Sequence, residues 1–215
     1  MTWKEFITER KLEVILTLFF LAGILFIFPK FLTYVEQREG VVLPDPILKL
    51  FNPVDLTWLT FTLIYISLVI AILNFSLKPE LLFTALQSYT LLVILRMIVM
   101  YITPFNAPEK LVPLNDPFVQ MFGSGDILTK DLFFSGHTAT LFLLFLISDK
   151  KYLKIILITC TLLVSISVIL QHVHYTVDVV TAPFFAYVSL RLVKLINDRI
   201  TESIKSTRKE KTLNK

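Results

Sequence analysis

The chain has 215 residues, 55% of them hydrophobic and only 18% charged, with a net charge of +4 and a mean hydropathy of +0.71. That balance excludes a soluble domain of average composition, and because the apolar residues fall in long blocks joined by short polar links, lipid is the expected solvent. Cys160 is the only cysteine, which excludes an intrachain disulfide and a cysteine metal cluster.

Lys4, Arg10 and Lys11 precede the first apolar run, 13–33, as basic residues would in a signal peptide. The run is long, however, and no small-x-small cleavage pattern stands near Phe28-Pro29, so it is expected to remain as a first helix. Runs at 57–76, 80–103 and 152–172 also have about the 20 apolar residues that a bilayer-spanning helix needs. Two weaker runs, 133–149 and 175–195, are interrupted in their first turns by Ser135, His137, Thr176 and Asp178. Ionisable groups at membrane depth are costly and are usually kept where they pair, face a cavity or do chemistry. The predicted fold is all-α: a six-helix membrane domain over 1–198 and a basic tail over 199–215.

Charge bias sets the expected orientation. Six spans put both termini on one side, which collects Lys4, Arg10, Lys11, Lys78, Lys150, Lys151, Lys154 and the tail residues Arg199, Lys205, Arg208, Lys209, Lys211 and Lys215. The other side mixes Arg38, Lys49, Lys110 and Lys130 with Glu36, Glu39, Asp45, Asp55, Glu109, Asp116, Asp126 and Asp131. Both termini are therefore predicted to be cytoplasmic, and the basic tail reads as a membrane-side anchor rather than a nucleic-acid-binding arm. The long loops 34–56 and 104–132 then lie outside, with the starts of the fourth and sixth helices. Asn74-Phe75-Ser76 matches a glycosylation sequon but falls at the cytoplasmic end of the second span, where it is expected to be silent.

Two segments carry the chemistry: Asp131-x3-Ser135-Gly136-His137-Thr138 and His174-Tyr175-Thr176-x-Asp178-Val179. Each opens a predicted helix, where residues four apart share a face, so Asp178 can accept a hydrogen bond from His174 and decide which ring nitrogen stays free. His137 enters from another helix, and Gly136 beside it lets a phosphate or a neighbouring helix approach the backbone. Phosphoryl transfer needs an oriented nucleophile, a proton donor for the leaving alkoxide, and N–H or positive groups around the phosphate. Helix amino termini at Ser135 and near His174 add such groups.

These two segments resemble the catalytic motifs of sphingomyelin synthases in residues, order and spacing. Leu43-Pro44-Asp45 is similar to the end of that family's first motif, and Arg96 falls where its second motif has an arginine, so the resemblance covers about residues 40 to 190. It implies six spans and an exoplasmic site. There His174, oriented by Asp178, attacks the phosphorus of a phosphatidylcholine or phosphatidylethanolamine, forming a phosphohistidine, while His137 protonates the departing diacylglycerol oxygen. His137 then takes the proton of a lipid alcohol, which in the family is ceramide. It implies no metal and no cofactor; the partners are a phospholipid donor and a lipid alcohol acceptor. The substrate-facing set is Arg96, Ser135, Gly136, Asp131, Tyr175 and Asp45, with Arg96 the main phosphate ligand. Departures from the family pattern are Val41-Val42 for two prolines, Ala85, Leu86 and Leu95 for two arginines and a tyrosine, Thr129-Lys130 for Cys-Gly, and Pro183 for a tyrosine. The resemblance is expected to be to a minimal relative without that family's extra cytosolic domains, as in a bacterial cell membrane. The wider lipid phosphate phosphatase superfamily adds a Lys-x6-Arg-Pro motif and an arginine six residues before the nucleophile, where this chain has Val168.

Other readings stay open on the sequence. The histidines could be polar helix-start residues satisfied by backbone or water, or two ligands of a metal site. Asp131 suits a helix cap, Asp45 a cap or a basic-headgroup contact, and His172 a supporting or interfacial role. Trp58, Tyr101, Tyr175 and Tyr187 read as interface aromatics, or as part of a cage for a quaternary ammonium. A hydrolase that uses water as acceptor shares the first half-reaction, and a transporter or non-catalytic lipid-binding protein would place Arg96 along a pathway. Monomer and homo-oligomer are both compatible with the sequence.

Overall fold

The computed structural model describes residues 2–114 and 128–213, with side chains up to residue 202. Seven helices account for most of it: α1 Trp3–Glu9, α2 Lys11–Glu36, α3 Thr57–Phe75, α4 Pro79–Ile102, α5 Gly136–Ile147, α6 Lys151–Leu170 and α7 Thr176–Leu213. A single 3-10 turn, Leu48–Leu50, interrupts the loop after α2. Asp116, Asp126 and the tail side chains from Lys205 onward lie outside the described residues.

Among the described residues, five helices are long and apolar enough to cross a membrane: α2, α3, α4, α6 and α7 over Thr176–Glu202. Large apolar side chains also point outward along them, Phe19 being 70% and Val180 69% exposed, with Phe26, Leu162 and Phe184 similarly placed. Such a surface on a soluble protein would be an aggregation hazard; on spanning helices it is the lipid face. The chain is an integral membrane protein in this sense.

The predicted fourth span differs. Helix α5 has 12 residues, not the 17 expected over 133–149, and at 1.5 Å per residue it covers only about 18 Å, short of a hydrocarbon core of about 30 Å. It is also the most enclosed helix, packing against α3, α4, α6 and α7, with Ala139, Leu141, Leu143, Leu144 and Ile147 buried. Buried Ala182 and Ala186 on α7 and Ser67 and Ala71 on α3 keep side-chain bulk low where helices close on one another. Residues 131–135 run as irregular chain because the Ser135 N–H is taken by the Asp178 carbonyl (3.0 Å) and helical bonding begins only after it.

Contacts separate the two ends of the bundle. At one end Trp3 donates to the Ser76 carbonyl (2.8 Å), Arg10 to Thr201 (3.0 Å) and Lys150 to Asn74 (2.7 Å), and Lys78 pairs with Asp149. This end gathers α1, the sequon and the later part of α7. At the other end, a bridge between Val41 and Phe105 and the bond from the Val54 N–H to the Leu170 carbonyl (2.9 Å) fold the long loops over the ends of α2, α4 and α6. The predicted site residues lie at this second end. Helix α1 was not anticipated from hydropathy, although Thr2 and Glu5 form a capping box that announces it.

Candidate active site

Helix α5 starts with Ser135 as its N-cap, the hydroxyl accepting from the Thr138 N–H (3.4 Å), so the cap expected of Asp131 belongs to Ser135 instead. Next in the chain, Gly136 lies against the side chain of Arg96. A Cβ at this position would fall 2.6 Å from the guanidinium carbon, so any side chain here requires the guanidinium or the start of α5 to shift. Arg96 is buried, and its Nε donates to the Phe134 carbonyl (2.9 Å) while Nη2 pairs with Asp131 (2.7 Å). An arginine this deep is tolerated because its charge is paired with Asp131 and its Nε and Nη2 have acceptors. Phe134, stacked on Phe185 with ring centroids 4.2 Å apart, fixes the carbonyl that Arg96 reads.

The second segment is built by the end of α6. The Val173 N–H bonds to the Val168 carbonyl (3.0 Å) and the His172 N–H to that of Ile169 (2.9 Å), the two bonds of a Schellman motif, which places His172 at the position usually given to glycine. Its φ is +56°, a conformation that costs a non-glycine residue about 1–2 kcal/mol. The reversal sends Val173 and His174 toward one side of the segment and His172 and Tyr175 toward the other.

His174 therefore precedes α7 rather than sitting on it, which corrects the helical pairing expected for His174 and Asp178. Asp178, in the first turn and 0% exposed, accepts from the Tyr175 N–H (3.0 Å) and places Oδ2 3.4 Å from His174 Nδ1. That separation is long for a hydrogen bond, but catalytic pairs without substrate often are and tighten on binding. Asp178 is thus the acceptor placed for a proton on Nδ1, with neither Nδ1 nor Asp178 Oδ1 hydrogen-bonded among the described residues.

His137 and His174 face each other with ring centroids 6.1 Å apart. Between them lies a small cavity of about 60 Å³, lined among the described residues by Leu111, Leu114, Leu128, Thr129, Asp131, Val173 and both histidines. Of the nine predicted site residues, His137, His174 and Asp131 line this cavity; Asp178 stands behind His174, and Ser135 and Gly136 form the turn before His137. Arg96 does not line it, reaching it only through Asp131 and the backbone at Phe134 and Gly136.

Asp45 and Tyr175 brace the site instead. Asp45 accepts from the Thr176 N–H (2.7 Å) and hydroxyl (3.2 Å) and from the Ile47 N–H (2.9 Å), so it caps α7 from another loop. Burial would raise its carboxyl, but the bonds from Thr176, Ile47 and Leu48 outweigh that and hold it below the ordinary value. Tyr175 is buried, unlike the exposed Trp58, Tyr101 and Tyr187, and its hydroxyl donates to the Asn106 carbonyl (2.9 Å) while accepting from the Leu43 N–H (3.2 Å).

Two supports escaped the sequence reading. Glu36, the last residue of α2, accepts from the N–H groups of Thr129 and Lys130 (both 2.9 Å) and from the Thr129 hydroxyl (2.6 Å), anchoring the cavity wall. Gln171, fully buried, accepts from the Leu56 N–H (3.1 Å) and donates to Thr57 (2.9 Å), tying the end of α6 to the start of α3. A terminal acid and a glutamine beside a histidine are signals too common to single out.

Residues 130–195 match the family model described as PAP2 superfamily C-terminal, a stretch that holds His137, His174 and Asp178 but not Arg96 or Asp45. The match covers less than a third of the chain and supports a place in the phosphatidic acid phosphatase superfamily, and with it chemistry on lipid phosphate esters. No curated protein matches the chain.

Proposed function

We propose that the chain is a phospholipid headgroup phosphotransferase that moves a phosphobase from a glycerophospholipid to a lipid alcohol such as ceramide. The observation that carries this reading is the pair of facing histidines across one small cavity, one of them backed by a buried carboxylate.

His174 Nε2 attacks the phosphorus and the bond to the diacylglycerol oxygen breaks, with His137 giving that oxygen its proton. Diacylglycerol leaves, and the phosphobase stays on His174. His137, now neutral, removes the proton of the acceptor hydroxyl; the acceptor oxygen attacks phosphorus, the P–N bond breaks, and His174 is restored. The amino terminus of α5, with its partial positive charge, supports the phosphoryl oxygens. Arg96 acts in this scheme as a positioning residue that holds the Asp131–Gly136 turn. The active site faces the exoplasmic side, a placement supported by the gathering of lysines and arginines at the opposite end of the bundle.

Purified protein given a labelled phospholipid, with and without ceramide or diacylglycerol, tests the reading. Label transferred to the lipid alcohol supports it. Phosphobase or phosphate released at the same rate whether or not acceptor is present would replace it with the hydrolase, for which water completes the second step.

A further inference from the structure

Behind the catalytic segment lies a second cavity of about 420 Å³, on the face of residues 172–175 opposite to His174. Its polar walls are Asp45, Lys49, Glu109, Lys110, His172 and Tyr175, contributed by the loop after α2, the 3-10 turn, the loop after α4 and the end of α6. None of the three catalytic side chains reaches it.

His172 is the informative residue. It occupies the one backbone position of the Schellman turn where glycine would be unstrained, yet it carries an imidazole that is 2% exposed. Phe51 packs edge-on to the ring at 5.2 Å, and Nε2 has no hydrogen-bond partner among the described residues. A strained, buried ring with an unused nitrogen beside a polar cavity is what a ligand would complete. Burial and the nearby Lys110 outweigh Asp45 and lower the affinity of the ring for a proton.

The charges around the cavity then cancel, with Lys49 and Lys110 against Asp45 and Glu109. An anion alone would meet two carboxylates and a cation alone two ammonium groups, whereas a zwitterion meets a partner for each end. We propose that this cavity binds a zwitterionic phosphate ester of an amino alcohol, with the phosphate toward Lys49, Lys110 and His172 and the ammonium toward Glu109 and the Tyr175 ring. The ligand is either the headgroup of a membrane lipid or the free phosphate ester. This binding requires neither His174 nor transfer, so it stands or falls separately from the reaction above.

The chain has three histidines, which makes their ring signals a direct probe. Full-length His174→Ala protein with ¹⁵N-labelled histidine is titrated with phosphoethanolamine in micelles of an uncharged detergent, and separately placed in nanodiscs of phosphatidylethanolamine or of an uncharged glycolipid. The His172 signals are expected to shift saturably with phosphoethanolamine if the free ester is bound, or in phosphatidylethanolamine nanodiscs alone if the ligand is lipid. Lys49→Ala/Lys110→Ala should weaken the response by about tenfold or more, as expected for losing charge-assisted contacts. His172→Gly, which relieves the turn, should keep or raise the melting temperature while abolishing calorimetrically measured binding of phosphoethanolamine or, in the lipid case, of a short-chain phosphatidylethanolamine. A His172 signal unmoved in every arm, a response unchanged by the lysine substitutions, or binding retained in His172→Gly would overturn the proposal.

Discussion

Gly136→Ala is the smallest change that tests whether Arg96 shapes the active site. The added Cβ would sit 2.6 Å from the guanidinium carbon and closer still to Nη1, so the groups must separate by about 1 Å to reach the 3.4 Å of ordinary contact. Two movements can supply that. Either the guanidinium withdraws, stretching its bonds to Phe134 and Asp131, or the start of α5 lifts and carries His137 with it. A misplacement of about 1 Å in a reacting group costs roughly 10²-fold in rate, so turnover should fall by one to two orders of magnitude. Stability moves less, because alanine improves helix propensity by up to about 1 kcal/mol over glycine while overpacking costs about 1–3 kcal/mol. Turnover of labelled phospholipid and a melting curve separate the two effects. The Arg96→Ala background completes the cycle: with the guanidinium gone the clash is gone, and Gly136→Ala should add little further loss. A Gly136→Ala enzyme within about threefold of the parent would refute the argument, since that difference corresponds to well under 1 kcal/mol of barrier.

His174→Ala and His137→Ala should each lower turnover by about 10² or more, and only the chain retaining His174 should hold acid-labile label after a single turnover; label held without His174 would remove it as nucleophile. Asp45→Asn should lower stability by about 0.5–2 kcal/mol at neutral pH through the weakened cap on α7. Because the folded state holds this carboxyl below its ordinary value near 3.8, its contribution is present above that pH and fades as pH falls through the depressed value. Melting temperatures of parent and Asp45→Asn should therefore converge in acid, and a gap that widens there would contradict the assignment. Lys78→Ala, which breaks the exposed pair with Asp149, is the contrasting case: a change of at most about 1 kcal/mol and none in turnover.

Run lengths made α2, α3, α4 and α6 legible to within a few residues, since a bilayer demands about 20 apolar residues and little else looks like that. The same logic overextended α5. Leu132, Phe133 and Phe134 continue the apolar run upstream of Gly136, but hydropathy reports burial, not backbone, and Phe134 is buried by stacking on Phe185 from an irregular turn. The pairing of His174 with Asp178 was legible for a related reason only in outline. The four-residue spacing suggested a shared helical face, whereas contact arises from a Schellman turn that delivers His174 just ahead of the helix. Glu36 and Gln171 could not be found at all, because their partners at Thr129 and Leu56 are loop backbone groups fixed only once the bundle is packed.

The short α5 bears on which acceptor the site favours. Arg96, which lies against Gly136, stands six residues before the end of α4, so the start of α5 is recessed by about 9 Å from that end. In the proposed reaction the phosphate between His137 and His174 is held at this depth, with residues of the loop between α4 and α5 forming part of the wall. Among the described residues, Leu111, Leu114, Leu128 and Val173 form the apolar part of the walls, and Thr129 and Asp131 are the polar groups besides the histidines. Water entering such a cavity leaves bulk hydrogen bonds for few partners, while a hydroxyl carried on acyl chains arrives already desolvated along its tail. For the proposed function, this recess is the feature that bears on the acceptor, because a hydroxyl carried on acyl chains reaches such a depth with less desolvation than bulk water, whereas the histidines serve either acceptor equally.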